Sequence, residues 1–274
     1  MTEAEKQYID LYAEASEAIK EHSAEVMNAV RDRAFEDFRR QGFPTRKVER
    51  YKYTDMEKIF APNYGLNINR IEFPVDPYAA FRCDVPNLST LLYFVVNDAF
   101  YTKRLPNVQP EEGVVIGSLR KAAEEHPELI ARYYARIAKT EEDAITALNT
   151  MLAQDGLFIY VPKNVQMEKC VQIINILRAD VSMMVNRRVL IVMEEGAKAK
   201  FLFCDHTADD HDFLATQVIE AYVGDNASLD LYCMEETPYK NHRVSNVYIE
   251  QQRDSRVNHN VITLHNGVTR NRLD

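Results

Sequence analysis

The chain has 274 residues, 46% hydrophobic and 27% charged, with a net charge of −9; that is enough for one large domain or two modest ones around a real core. The charge is even along the chain, −5 before Asp155 (20 basic, 25 acidic) and −4 from there on (13 basic, 17 acidic), which argues against nucleic acid or an anionic membrane surface as a partner. The opening MTEAEKQYIDLYAEASEAIK is charged throughout, unlike an export signal, and no apolar run reaches the roughly 18 to 20 residues that cross a bilayer; a cytoplasmic protein is expected.

Residues 3 to 41 read as helix. Tyr8, Tyr12, Ala15, Ile19, Val26, Val30, Ala34 and Phe38 recur at steps of three, four and seven, which puts them on one face. A break is expected near His22-Ser23, with Ser23 as N-cap. Gly42 stands where a C-terminal cap belongs, and Pro44 blocks continuation. Residues 43 to 110 hold seven of the ten prolines and read as irregular, apart from a buried strand in LLYFVVND (Leu91 to Asp98) with AFYTKRL as its hairpin partner. Residues 118 to 155 return to helix. Pro127 suits a first turn, and Thr140 with Asp143 resembles a capping box for a last helix. That helix turns Ile145, Leu148, Met151 and Leu152 inward and stops at Gly156.

After Gly156 only short β-branched runs appear, beginning at Leu157, Val171, Val189, Phe201, Thr216, Leu229, Asn246 and Val261, and they read as strands. EGAKAKFLF from Glu195, DNASLDLYC from Asp225 and DSRVNHNVI from Asp254 align without gaps, 30 and 29 residues apart. A repeat of that length made only of strands predicts a stack of coils. The expected fold is α+β: a mixed helical N-terminal region over 1–155, then a right-handed parallel β-helix over 156–274. A sandwich of hairpins is the alternative.

Motifs of catalysis are absent. The chain has no GxxxxGK[ST] or GxGxxG phosphate loop, no GxSxG elbow, no HExxH and no pair of CxxC motifs, so no catalytic, cofactor-binding or metal-ligating residue is assigned. The cysteines, Cys83, Cys170, Cys204 and Cys233, read as reduced thiols. Thiolate, imidazole and carboxylate do gather in Cys204, Asp205, His206, Asp209, Asp210 and His211, a set that could bind a metal. Against it, Cys204 ends an apolar run as a core thiol would, and HTADDHD reads as a solvated loop. On the repeat Phe203 matches Cys233, so Cys204 and Cys233 face opposite sides. His259 and His265 are expected at a surface or interface.

FPTRKVERYKYTD (Phe43 to Asp55) resembles the N-terminal signature of the SufD family, with Tyr51 where the family often has Trp. LNTMLAQDGLFIYVPKNV (Leu148 to Val165) resembles the segment leading into that family's β-helix, RRVLIVMEEGAKAKF (Arg187 to Phe201) one of its coils, and GVTRN (Gly267 to Asn271) a later motif. The resemblance implies a non-catalytic scaffold subunit of iron–sulfur cluster assembly. Such a subunit pairs with a SufB-like protein through the β-helices and with a SufC-like ATPase through a C-terminal helical segment. It implies no cofactor on this chain alone, an iron–sulfur cluster entering only in the larger complex. The family continues beyond the counterpart of Asp274, so the SufC-docking segment is expected to lie outside this sequence, and self-association through the last coil is expected. The alternatives are a carbohydrate-active β-helix enzyme, which would favour an export signal and aromatic platforms where this chain has no Trp, and a direct iron or cluster carrier, which would need grouped cysteines.

Overall fold

A computed structural model describes residues 1–80, 90–106 and 109–274 of the chain. Helix α1 (Glu3–Glu21) opens on a capping box, Thr2 Oγ1 accepting from Glu5 N while the Glu5 side chain accepts from Thr2 N. Helix α2 (Glu25–Asn28) and helix α3 (Arg31–Gln41) follow. The break falls where expected, but Ser23 is not the cap. Ala24 holds that position, and the Ser23 hydroxyl instead accepts from the buried Arg31 guanidinium at 2.9 Å. Gly42 ends α3 at φ +63°, its N–H on Phe38 O, the left-handed geometry that glycine takes without a Cβ clash.

Short helices span α4 (Met56–Phe60) and α5 (Pro77–Ala80). Strand β1 (Thr90–Val96) then meets the two-residue β2 (Ala99–Phe100) in the expected hairpin. Strand β3 (Val115–Ser118) leads to α6 (Leu119–Glu125), α7 (Pro127–Tyr133) and α8 (Ala144–Leu152). Pro127 is the first residue of α7, as its fixed φ suits. Asp143 alone caps α8, accepting from Ile145 N and Thr146 N; the Thr140 hydroxyl turns away to Asp37 Oδ2 at 2.7 Å.

Nine further strands follow without an intervening helix: β4 (Leu157–Val161), β5 (Cys170–Leu177), β6 (Met183–Met193), β7 (Lys198–Thr207), β8 (Phe213–Val223), β9 (Ser228–Glu236), β10 (His242–Gln251), β11 (Arg256–His265) and β12 (Val268–Leu273). They form two sheets, ordered β11-β9-β7-β5-β1-β2 and β12-β10-β8-β6-β4-β3. Apart from the β1–β2 and β3–β4 pairs, every neighbour is parallel. The chain therefore alternates between the sheets and climbs one coil at a time: a β-solenoid, and not a sandwich of hairpins. The lumen is packed by alternate side chains of both sheets, including Tyr93, Ile159, Ile173, Ile191, Phe201, Ile219, Leu229 and Leu231.

Each coil turns tightly between the sheets on one left-handed residue. Asn164, Gly196, Asn226 and Asp254 have φ of 62°, 70°, 58° and 57°, and they stack. Asn164 N donates to Glu195 O, Gly196 N to Asp225 O and Asn226 N to Arg253 O, at 2.8 to 2.9 Å. Gly, Asn and Asp tolerate this conformation best. The ladder corrects the alignment of the third repeat. Asp254 is the counterpart of Asn226, not of Asp225, and Ser228 pairs with Arg256. The true spacing there is one residue shorter than the sequence alignment gave, which exchanges the faces of the β11 side chains as far as Thr263, before a register shift at His265.

The outer faces differ. The β4–β12 sheet is roofed by helices: α8 lays Leu148, Met151 and Leu152 against Met184, Leu214 and Val244, and α6 and α7 cover Leu190, Val192 and Tyr222. On the other sheet, Phe94, Ile174 and Cys204 form a smaller cluster with Tyr78 packed against it, while the outward residues of β11 stay exposed. Among the described residues no helix is long and apolar enough to cross a membrane.

Candidate functional site: a charged column inside the solenoid

One edge of the lumen is charged. Arg187 (β6), Asp205 (β7), Glu235 (β9) and Arg243 (β10) point inward and are 3%, 5%, 1% and 5% exposed. Arg187 Nε donates to Asn97 O at 3.0 Å and its Nη1 to Asp205 Oδ1 at 2.7 Å, where Asn175 Nδ2 also donates at 2.7 Å. Arg243 Nε sits 3.1 Å from Asp205 Oδ2, and its Nη1 pairs with Glu235. Glu235 Oε2 accepts from Thr263 and Thr269 hydroxyls at 3.1 and 2.7 Å. The column thus runs from Asn97 beside the first coil to β12, two guanidinium groups alternating with two carboxylates. Burial opposes ionisation of Asp205, but Arg187 and then Arg243 hold its carboxyl below the usual range; burial lowers Arg187, against the pull of Asp205. Charges removed from water persist only when paired in this way.

At the column's edge Cys233 Sγ lies 4.0 Å from His259 Nε2. Burial pushes the Cys233 thiol up to about 11 against the lowering effect of Arg243, and burial, with Arg243, lowers His259. At neutral pH the pair is therefore a thiol and a neutral imidazole, not the thiolate–imidazolium pair of an activated nucleophile. The two could offer one soft metal ion a sulfur and a nitrogen, but among the described residues no three His, Cys, Asp or Glu side chains gather to hold one.

The Cys204–His211 run does not assemble. Cys204 is buried on the outer face of its sheet, apart from Cys233 in the lumen, as the alternation predicts. Asp205 turns inward to the arginines, and Asp209 accepts from Ala179 N and Arg178 Nη1 at 2.9 and 3.2 Å. Cys170 is half-buried at the start of β5, and Cys83 lies outside the described residues. His265 Nδ1 is 2.7 Å from Thr237 O, its ring against the exposed Tyr239.

Two of the motifs singled out in the sequence meet outside the lumen. Tyr51 of RYKYT donates to Asp143 Oδ2 at 2.6 Å, and the Arg270 guanidinium of GVTRN stacks over the Tyr51 ring at 3.8 Å. Arg272 Nη1 reaches Asp143 Oδ2 at 3.0 Å, Asn246 Nδ2 reaches Asp143 Oδ1 at 2.9 Å, and Arg270 Nη1 reaches Asn246 Oδ1 at 3.1 Å. Asp143 caps α8 at the same time, so one carboxylate ties the helical region to the late coils. A second carboxylate does the same further along. Glu220 of β8 accepts from Ala135, Arg136, Ile137 and Ala138 N–H groups at 2.9 to 3.3 Å and pairs with the wholly buried Arg188.

Residues 2–173 match the family model described as the SufBD protein N-terminal region, and residues 175–274 match that of the SUF system FeS cluster assembly, SufBD core domain. The iron–sulfur cluster assembly protein SufD of Bacillus subtilis is 29% identical over 185 residues, 67% of this chain and 41% of that protein. A SufBD family protein of Synechocystis is 32% identical over 124 residues, 43% of this chain and 25% of its own length. A chloroplastic SufBD family protein of Arabidopsis thaliana is 32% identical over 122 residues, 43% and 21%. The matches thus span about two fifths or less of the length of these relatives.

Proposed function

The chain belongs to the SufBD family of iron–sulfur cluster assembly proteins, and from that premise we propose that it is a non-catalytic scaffold subunit of the Suf machinery. Its solenoid pairs with a SufB-like protein, and the pair works with a SufC-like ATPase. The observation that carries this reading is the unequal cover of the two sheets. One outer face is closed by α6, α7 and α8, whereas the other presents Lys198, Lys200, Asn258, Asn260, Ile262 and Leu264 along β7 and β11 to solvent. Among the described residues the β11 end of that face lies open, and with Ile262 and Leu264 54% and 61% exposed it is a surface suited to another protein. The lumen supports the same reading, since its charged side chains are engaged with one another and its thiol is un-ionised.

The test is direct. Asn260→Arg combined with Ile262→Asp alters exposed positions and leaves folding within about 0.5 kcal/mol. Binding to the SufB-like protein of the same cell, measured by titration, weakens about tenfold or more, while Glu14→Lys at an exposed position of α1 leaves it unchanged. Wild-type affinity in the double variant would remove this face from the interface.

The second reading, a direct iron or cluster carrier, has one observation in its favour, the Cys233–His259 pair at 4.0 Å. Anaerobic reconstitution with iron and sulfide separates the two: a scaffold gives no stable visible absorbance on this chain alone, a carrier gives a band that Cys233→Ser abolishes.

A further inference from the structure

Arg187 stands beside a small space at the charged column. The space has a volume of about 10 Å³ and is bordered by Asp205, Thr237, Asn241 and Arg243 as well as Arg187. Among the bordering residues, Arg187 Nη2 and Thr237 Oγ1 are buried without a hydrogen-bond partner among the described residues, while Arg243 Nε and Nη1 meet the carboxylates of Asp205 and Glu235 as ion pairs. We propose that this space is a built water site: one ordered water, donated to by Arg187 Nη2, hydrogen-bonded to Thr237 Oγ1 and donating toward the Asp205 carboxylate, is a fixed part of the solenoid interior.

Size and chemistry select this occupant. About 10 Å³ is the lower limit for one water and too little for any larger ligand. A space of that size lined by leucine and isoleucine stays dry, but a water with two to four polar partners is held firmly. Here the border offers a guanidinium, a carboxylate, a hydroxyl and an amide, all nine-tenths or more buried. Buried donors left without a partner are costly and rare in native structures, and a single water satisfies both at once. A second space of the same size, bordered by Arg187, Arg188, Asn175 and Asp98, holds two donors in need of a partner, Arg187 Nη2 and Arg188 Nε, but no hydroxyl; the Thr237 side adds one, Thr237 Oγ1, and the water is placed there. It joins the early half of the column, at Arg187 and Asp205, to the turn before β10. The lumen is therefore hydrated at a defined point between its apolar layers, and the site is separate from the exposed sheet face assigned to the partner.

A crystal structure of the chain at high resolution tests this. The expected result is a well-ordered density peak about 2.7 to 3.2 Å from both Thr237 Oγ1 and Arg187 Nη2. An empty space, or a Thr237 hydroxyl turned onto a protein acceptor, overturns the proposal. In solution, Thr237→Val keeps the shape and removes the hydroxyl. It should raise the unfolding constant about tenfold at a fixed urea concentration, while Thr237→Ser stays within about twofold. Equal effects of the two variants would also count against the water, because the methyl group and not the hydroxyl would then be what matters.

Discussion

Glu220 and Asp205 are carboxylates buried for different purposes. Glu220 gathers four backbone N–H groups of the α7–α8 connection onto the sheet and neutralises Arg188. Glu220→Gln leaves Arg188 buried without an anion, so a loss of about 3 kcal/mol in urea unfolding is expected; a loss under about 1 kcal/mol would show that the guanidinium finds another partner. Asp205 sits inside the column, with its folded carboxyl below the usual range because Arg187 and Arg243 outweigh burial. The unfolded chain then binds this proton more readily than the folded one. The stabilisation is present in full above the unfolded value of about 3.9 and is lost as pH falls through the lower folded value. Asp205→Asn removes that part of the acid dependence, and a stability profile below pH 4 parallel to that of the wild type would contradict the assignment. Neither role is visible in the sequence. In VNRRVLIV, Arg187 faces the lumen and Arg188 the helical roof, a distinction that depends on strand phase and not on composition.

At the scale of elements, strand and helix positions were legible because their periods differ: steps of three and four for α1 and α3, alternation after Gly156. The coil register was legible for β7 and β9, where Phe203 and Cys233 pair as the alignment gave. It failed at β11, where Asp254 was matched with Asp225. The signal that could have corrected it is the left-handed turn position, held by Gly196, Asn226 and Asp254. With the shift of one residue, His259 moves from the outer face to a lumen position beside Leu231 and Cys233, which is why its meeting with the thiol went unseen. The clasp at Asp143 was equally hidden, because it joins residues 92 and 129 positions apart. A double-mutant cycle of Asp143→Asn and Arg272→Ala should return a coupling of about 1 kcal/mol or more. Simple additivity would mean that the roof and the late coils are held together by apolar packing alone.

At the scale of the whole molecule, the roof, the charged column and the open sheet face divide the work. Parallel coils supply a rigid stack, the helices close one side through Asp143 and Glu220, and among the described residues the β11 end of the other sheet stays exposed. Membership in the SufBD family rests on both halves of the chain, since the N-terminal and core models together match residues 2–173 and 175–274, in agreement with the order of motifs read in the sequence. The partner was not readable from the residues themselves, because exposed lysine, asparagine and isoleucine on a strand face specify a surface and not its occupant. Sedimentation velocity of this chain mixed with the SufB-like protein of the same cell, at moderate salt, decides whether the proposed pairing exists. A one-to-one complex that persists at micromolar concentration and is weakened by Asn260→Arg with Ile262→Asp is expected. Two independently sedimenting species at every concentration tested would contradict it.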